Sequence, residues 1–132
     1  MRNSILTGLA VVAIVATSAA ACGGGGSTPT TPTNPTSDVA TITIGTDGRV
    51  SPSSVTIPRG GRVTMINNHN LPHDMSSDPH PEHTQCPEIN QIGFLTTGQQ
   101  RTSGNFNTAR TCGFHDHNRE TDTGLQGRII IQ

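Results

Sequence analysis

The histidines of this chain are confined to one region of the sequence. All six lie between positions 69 and 117 (His69, His73, His80, His83, His115 and His117). Imidazole suits copper, zinc, iron and nickel, so a region so rich in histidine predicts a metal site. The stretch "RTCGFHDHNRE" also contains a cysteine, Cys112, three residues before His115. Cys112 is a candidate for either of two chemistries, as a metal ligand or as one half of a disulfide.

The N-terminal part of the chain is predicted to lie outside the folded domain. An apolar run, "ILTGLAVVAIVA", follows one arginine and precedes "TSAAAC", which is typical of a signal peptide over residues 1–21. Residues 22–37 are rich in Gly, Thr and Pro and predict a tether. The cleavage region resembles that of a bacterial lipoprotein, which implies lipidation of Cys22 and an anchor in a membrane. The usual Leu is replaced by Ala19, so an ordinary cut near Ala21 stays open. We expect export to the periplasm or the cell surface.

Residues 38–132 are predicted to form one domain with a thin aliphatic core. The whole chain has three Phe, no Trp and no Tyr, and its net charge is −1. This balance does not suggest a nucleic-acid partner. The sequence has no phosphate-binding loop, nucleophile–base arrangement or paired acid–base carboxylates, so we do not expect an enzyme.

The hydrophobic pattern is that of β-strands throughout. In "ATITI", the residues Ala40, Ile42 and Ile44 alternate with threonine, and "SSVTIP" and "GRVTMIN" alternate in the same way. Glycine and proline separate these short runs, whereas "SDPHPEHTQCPEINQ" has no period and is predicted to be a loop. Short strands with frequent turns predict an all-β sandwich or barrel.

The order of these segments resembles the cupredoxins. "VTIPRGGRVTMINNHNLPHD" is similar to the middle of that family, in which a Pro-His after a loop supplies the first copper ligand, here His73. "LQGRIII" is similar to the family's last strand, with Leu125 where Met often stands. The resemblance covers nearly all of residues 39–132 and implies a Greek-key β-sandwich that binds copper. Another small sandwich, such as an immunoglobulin-like one, is the alternative fold.

Two copper sites are compatible with the resemblance. In the first, Cys112 and His115 match the family's Cys-x-x-His spacing and join His73 in a type 1 site. Leu125 cannot supply the axial ligand, and Cys86 would remain a lone thiol in an oxidising compartment.

In the second copper site, Phe106 is aligned with the Phe of the family's last hairpin. This alignment implies that the side chains of Cys112 and Phe114 point into the core. Asp116 then stands where the thiolate would be. With Cys22 lipidated, Cys86 is the natural partner of Cys112, and we favour this disulfide.

The second alignment predicts a metal site made of His73, His115 and His117. His115 and His117 are two residues apart and share a face in a regular strand. Asp74 and Asp116 each follow a histidine and either orient the imidazoles or are solvated acids. We expect His80 and His83 to be surface residues, with a second site or an extension of the first as the alternatives, and no residue pairs with His69 by spacing.

Copper is implied by the resemblance alone, and zinc is not excluded. We therefore expect an extracytoplasmic copper-binding protein that serves electron transfer or copper handling and exchanges electrons or copper with a protein partner. A metal-free β-sandwich that acts as a binding or structural module of the cell envelope is the alternative.

Overall fold

The computed structural model of this protein describes residues 38–132, which form nine strands and three single-turn 3-10 helices. The predicted signal peptide (1–21), the linker (22–37) and the lipidation site Cys22 lie outside the described residues. The strands are β1 (Val39–Ile44), β2 (Val50–Ser51), β3 (Ser54–Ile57), β4 (Arg62–Asn67), β5 (His73–Ser77), β6 (Gly93–Leu95), β7 (Gln100–Thr102), β8 (Arg110–Asp116) and β9 (Gly127–Ile131). The 3-10 helices are Ile89–Gln91, His117–Arg119 and Thr123–Leu125.

The strands form two mixed sheets. One sheet has the order β2-β1-β4-β7, and the other has the order β3-β9-β8-β5-β6. Parallel pairing joins β1 to β4 and β3 to β9, while the other pairs are antiparallel. The predicted all-β Greek-key sandwich is confirmed.

The core lies between the sheets and follows the alternation of the sequence. Ile42 and Ile44 of β1 are fully buried, as is Met65 of β4, whereas the threonines between them face outward. Phe106 and Phe114, the two largest buried side chains, also lie in this core. A period of two residues places every second side chain of a strand on the same face, so these positions were predictable.

The connection from β5 to β6 packs against β8 and contributes Cys86 and Ile89 to the core, with its 3-10 turn at Ile89–Gln91. The segment predicted to be a loop, residues 77–91, makes up nearly all of this connection. Hydrogen bonds from Asp78 N to Gly113 O (3.1 Å) and from Gly113 N to Gln85 Oε1 (2.8 Å) hold it against β8. Within residues 38–132, no helix is long and apolar enough to cross a membrane.

Candidate metal centre

Cys112 is joined to Cys86 in a disulfide. The two Cα atoms are 5.8 Å apart, within the range that a disulfide requires, and both side chains are fully buried. The predicted disulfide is present, and the predicted inward register of Cys112 and Phe114 is confirmed by their burial. Because its sulfur is oxidised, Cys112 cannot supply a thiolate, so the alternative type 1 set of Cys112, His73 and His115 is not formed.

The predicted trio of His73, His115 and His117 is not brought together either. In the pairing of β5 with β8, Met75 lies opposite Asp116 and Ser76 lies opposite His115. Successive side chains of a strand alternate between faces. His73 therefore shares the inner face with Asp116, while His115 projects from the outer face of the same sheet. His115 and His117 do share a face, as expected, but His73 lies across the sheet from them.

His73 lies in a group that we call the His73 network, made of His69, His73, Asp116 and Arg119. His73 Nδ1 donates to Asp116 Oδ2 at 2.7 Å, which leaves His73 Nε2 as the acceptor for His69 Nδ1 at 2.9 Å. Arg119 Nη1 donates to the same Asp116 oxygen at 3.0 Å. Arg119 Nη1 also lies 3.5 Å from His73 Nδ1, but both nitrogens carry hydrogens, so that contact is not a hydrogen bond.

The sequence before β5 positions this network. Asn67, at the end of β4, donates from Nδ2 to Leu71 O (2.9 Å) and to Leu95 O (3.0 Å). Its Oδ1 accepts from His69 N at 2.9 Å. The buried amide thus fixes the loop between β4 and β5, and with it the two histidines at either end.

Asp116 is fully buried and ionised. Burial raises the pKa of its carboxyl, but the hydrogen bonds from His73, from Asn118 N and from Arg119 outweigh burial and hold the pKa below its usual value. The hydrogen bond between Asp116 and His73 agrees with the prediction that Asp116 orients an imidazole. Asp74 contributes its backbone N–H, which lies 3.4 Å from Asp116 Oδ1, while its own carboxylate points to the outer face.

The remaining four histidines form a second group on the outer face, which we call the outer histidine cluster (His80, His83, His115 and His117). His83 Nε2 lies 3.3 Å from His115 Nε2 and 3.2 Å from His117 Nδ1. One nitrogen from each of His80, His83 and His115 falls within 4.8 Å of the others, an arrangement that could hold a metal ion. The prediction of a second site at His80 and His83 thus describes the geometry better than their interpretation as isolated surface residues.

Asp78 orients one member of the outer histidine cluster. Its Oδ1 accepts from His115 Nδ1 at 2.7 Å, which places the lone pair of His115 on Nε2, the nitrogen that faces His83. The Asp78 carboxylate lies over Gly113, where a Cβ atom would collide with it. The absence of a side chain at Gly113 therefore permits the contact between Asp78 and His115. Neither Asp78 nor Gly113 was among the predicted site residues.

The surroundings of His83 favour its neutral imidazole. Burial lowers the pKa of His83, and the neighbouring His115, His117 and His80 lower that pKa further, against a smaller opposing effect of Asp74. A neutral imidazole has a free lone pair and can bind a metal.

Comparison with known proteins identifies the family. No profile of a known protein family matches the sequence. A plastocyanin from Scenedesmus fuscus is 30% identical over 97 residues, which are 70% of this chain and 98% of that protein. The chain belongs to the cupredoxin family.

Solved cupredoxin structures agree with this assignment. The fold matches that of a purple cupredoxin from Nitrosopumilus maritimus, with a TM-score of 0.54 at 20% identity, over 70% of this chain and 99% of that one. It also matches amicyanin from Paracoccus versutus, with a TM-score of 0.55 at 18% identity, over 73% of this chain and 83% of that one. Cupredoxins are electron-transfer copper proteins. The prediction of copper is therefore supported by the family and by a histidine cluster that could hold a metal ion.

This cupredoxin does not offer a type 1 copper site in the His73 network. In the alignment predicted from the sequence Asp116 stands at the family's thiolate position, and the Arg119 guanidinium lies 3.0 Å from its carboxylate. His73 Nδ1 and Nε2 are both engaged, one with Asp116 and one with His69. The donors are used internally and a fixed cation is already present, so the residues of the network do not fit the family's copper ion.

Proposed function

We propose that this cupredoxin is an exported protein that holds copper as a bound ion for storage or delivery, without a type 1 electron-transfer centre. The observation that carries the proposal is the state of Cys112, whose sulfur is bonded to Cys86 instead of being free to bind copper. A second support is the ion pair between Asp116 and Arg119, since Asp116 is the residue that the predicted alignment puts at the thiolate position.

Ligand chemistry supports storage or delivery over electron transfer. The type 1 centre combines two imidazoles with a thiolate, and the covalent copper–sulfur interaction tunes its potential. In residues 38–132 both cysteines are oxidised, and the remaining candidate donors are imidazoles and carboxylates. Such donors suit Cu(II), which a more open site can exchange with a partner. The partner implied is a copper-exchange protein of the cell envelope.

Export is supported by two independent features. The N-terminal sequence has the charge, apolar run and small residues of a secretory signal. The domain contains a buried disulfide, and such bonds persist in oxidising compartments outside the cytoplasm. We further propose that Cys22 carries a lipid anchor. Mass spectrometry of the mature N-terminus should find a lipidated Cys22, and an unmodified chain cut near Ala21 would overturn the anchor.

The copper proposal is tested on purified protein loaded with Cu(II). We expect bound copper by metal analysis, no thiol from Cys86 or Cys112, and only the weak visible absorption of nitrogen- and oxygen-ligated Cu(II). An intense visible band from thiolate-to-copper charge transfer would overturn the proposal. A protein that binds no copper would overturn it in favour of the metal-free module.

A further inference from the structure

We propose that the outer histidine cluster, defined above, binds one Cu(II) ion on the outer face of the five-stranded sheet, with Asp78 as a positioning residue. This inference rests on the proposed function only in taking copper as the metal. The site lies across the sheet from the place that the family uses, and it is built from the connection between β5 and β6 together with the end of β8.

Hydrogen bonding alone does not satisfy the nitrogens at the centre of the cluster. His115 Nδ1 donates to Asp78, so in the neutral ring its Nε2 carries a lone pair and no hydrogen. His83 Nε2 faces this lone pair at 3.3 Å and also faces His117 Nδ1 at 3.2 Å. One hydrogen on His83 Nε2 can be donated to only one of the two. A cation that accepts a lone pair from His83 Nε2 and from His115 Nε2 would satisfy these two nitrogens.

The spacing of these nitrogens matches that around a metal. Nitrogens bound at 2.0–2.1 Å in tetrahedral geometry are separated by about 3.3 Å. The contacts of His83 Nε2 with His115 and His117, at 3.3 and 3.2 Å, agree with this value. His83 Nε2 and His115 Nε2 are therefore spaced to bind the same ion, and one nitrogen of His80 belongs to the same group within 4.8 Å.

His80 completes the cluster from the exposed side. Its ring centroid lies 5.5 Å from that of His115 and 5.1 Å from that of His117. His115 is buried against the sheet, whereas His80 is exposed. The site thus has a fixed inner wall and an accessible outer ligand, through which an ion can enter and leave.

Hydrogen bonds hold the backbone of the loop in the conformation that presents His83 to the cluster. His83 has a φ of 52°, in the left-handed region that non-glycine residues rarely adopt. Its N–H donates to Pro79 O at 2.8 Å, and its carbonyl accepts from Asn90 Nδ2 at 2.9 Å. Asn90 Oδ1 in turn accepts from Ser77 N at 2.9 Å, which ties the loop to the end of β5. An unfavourable backbone conformation held by several hydrogen bonds points to a role for the side chain that it presents.

The donor set selects among metals. Three or four imidazoles without a thiolate or thioether suit a divalent ion of intermediate softness, and Cu(II) binds such donors more tightly than Zn(II). We therefore expect Zn(II) to occupy the same site and to be displaced by Cu(II).

The test is a Cu(II) titration of the full-length protein at pH 7 against a competing chelator. His83→Ala removes the central ligand and should weaken Cu(II) binding by a hundredfold or more. The matched control is His69→Ala, which removes a histidine of the His73 network and should leave the affinity within threefold. Chemical unfolding of each metal-free variant confirms that it folds. In the wild type, electron paramagnetic resonance should show coupling of Cu(II) to several imidazole nitrogens, and this signal should change in His83→Ala alone.

Asp78 supplies a test of positioning. Asp78→Ala frees the ring of His115 and should weaken binding by about tenfold to a hundredfold. Asp78→Asn keeps an acceptor for His115 Nδ1 and should restore part of that loss, which a purely structural role would not predict.

The outcomes separate this inference from the proposed function. Copper bound equally well by wild type and folded His83→Ala would overturn the outer site. Loss of binding in His69→Ala with normal binding in His83→Ala would overturn it in favour of the His73 network. In both cases the copper proposal would stand. A wild-type protein that binds no Cu(II) would overturn both.

Discussion

The His73 network and the outer histidine cluster lie on opposite faces of the same sheet and satisfy their imidazoles in opposite ways. In the His73 network, each ring nitrogen of His73 has a protein partner, and the Asp116 carboxylate accepts from His73, Asn118 and Arg119. In the outer histidine cluster, imidazole nitrogens face one another at 3.2 and 3.3 Å with too few hydrogens to pair them.

The difference indicates that the hydrogen-bond partners of a histidine ring, and not the place of the residue in the fold, decide whether it can bind a metal. A buried carboxylate with an adjacent guanidinium turns His73 into a structural residue. A carboxylate on the far side of the ring, as Asp78 is to His115, leaves the other nitrogen free for an ion. The end of the fold that contains His73 thus contributes to stability, and we assign metal binding to the other face.

Removal of the disulfide should have the largest effect and should act on both regions. The bond joins residues 26 positions apart, so Cys86→Ala with Cys112→Ala should lower the free energy of unfolding by about 3–4 kcal/mol. It also anchors the loop that carries His80 and His83, so Cu(II) affinity should fall as well. Urea unfolding and a Cu(II) titration measure the two effects. An unchanged affinity would show that hydrogen bonds alone hold the loop.

Asp116→Asn should affect stability and not copper. The substitution removes the buried charge that pairs with Arg119 and the strongest acceptor of His73, and it should lower the free energy of unfolding by about 2–3 kcal/mol at pH 7. Cu(II) affinity should stay within threefold of wild type. A large loss of copper binding in the folded variant would place the metal in the His73 network.

The same variant gives a pH signature. The pKa of Asp116 is lowered in the folded protein, so its contribution to stability is complete above the unfolded pKa of about 4 and is lost as the pH falls through the folded pKa. The difference between wild type and Asp116→Asn should therefore be largest near neutral pH and narrow below about pH 4. Urea unfolding at several pH values measures it, and a constant difference would contradict the ionised state.

Gly113→Ala should have the smallest effect and act on the outer face alone. The added methyl group displaces Asp78 from His115, so Cu(II) affinity should fall by about tenfold, or about 1.4 kcal/mol. Thr111→Ala is the matched control, because Thr111 lies on the same face of β8 but is exposed. Equal affinities in the two variants would contradict the positioning role of Asp78.

Much of the fold was predictable because its signals are local. The alternation around Ile42 and Ile44 predicted β1, and the oxidised pair was predicted from the register of Cys112 with Phe114. The choice among histidines was not predictable in the same way. It depends on the register of β5 with β8, which places Met75 opposite Asp116 and sends His73 and His115 to different faces. No local pattern in the sequence specifies that pairing.

The contact between Asp78 and His115 could not be predicted from the sequence for a similar reason. It joins residues 37 positions apart in the sequence and requires a glycine at position 113, in the same strand as His115. The spacing of His80 and His83 was the available signal, but it indicates a site only together with the packing of the loop against β8.

The parallel pairing of β3 with β9 has a consequence for the way the chain folds. Ser54 pairs with Arg128 and Ile57 pairs with Ile131, while β9 also pairs with β8 and thereby connects β3 to the rest of its sheet. Because contacts between distant segments form slowly, this topology belongs to domains that fold in milliseconds to seconds. Until β9 has been synthesised, the nascent chain cannot join β3 to the rest of the five-stranded sheet, so this sheet forms late in the synthesis of the domain.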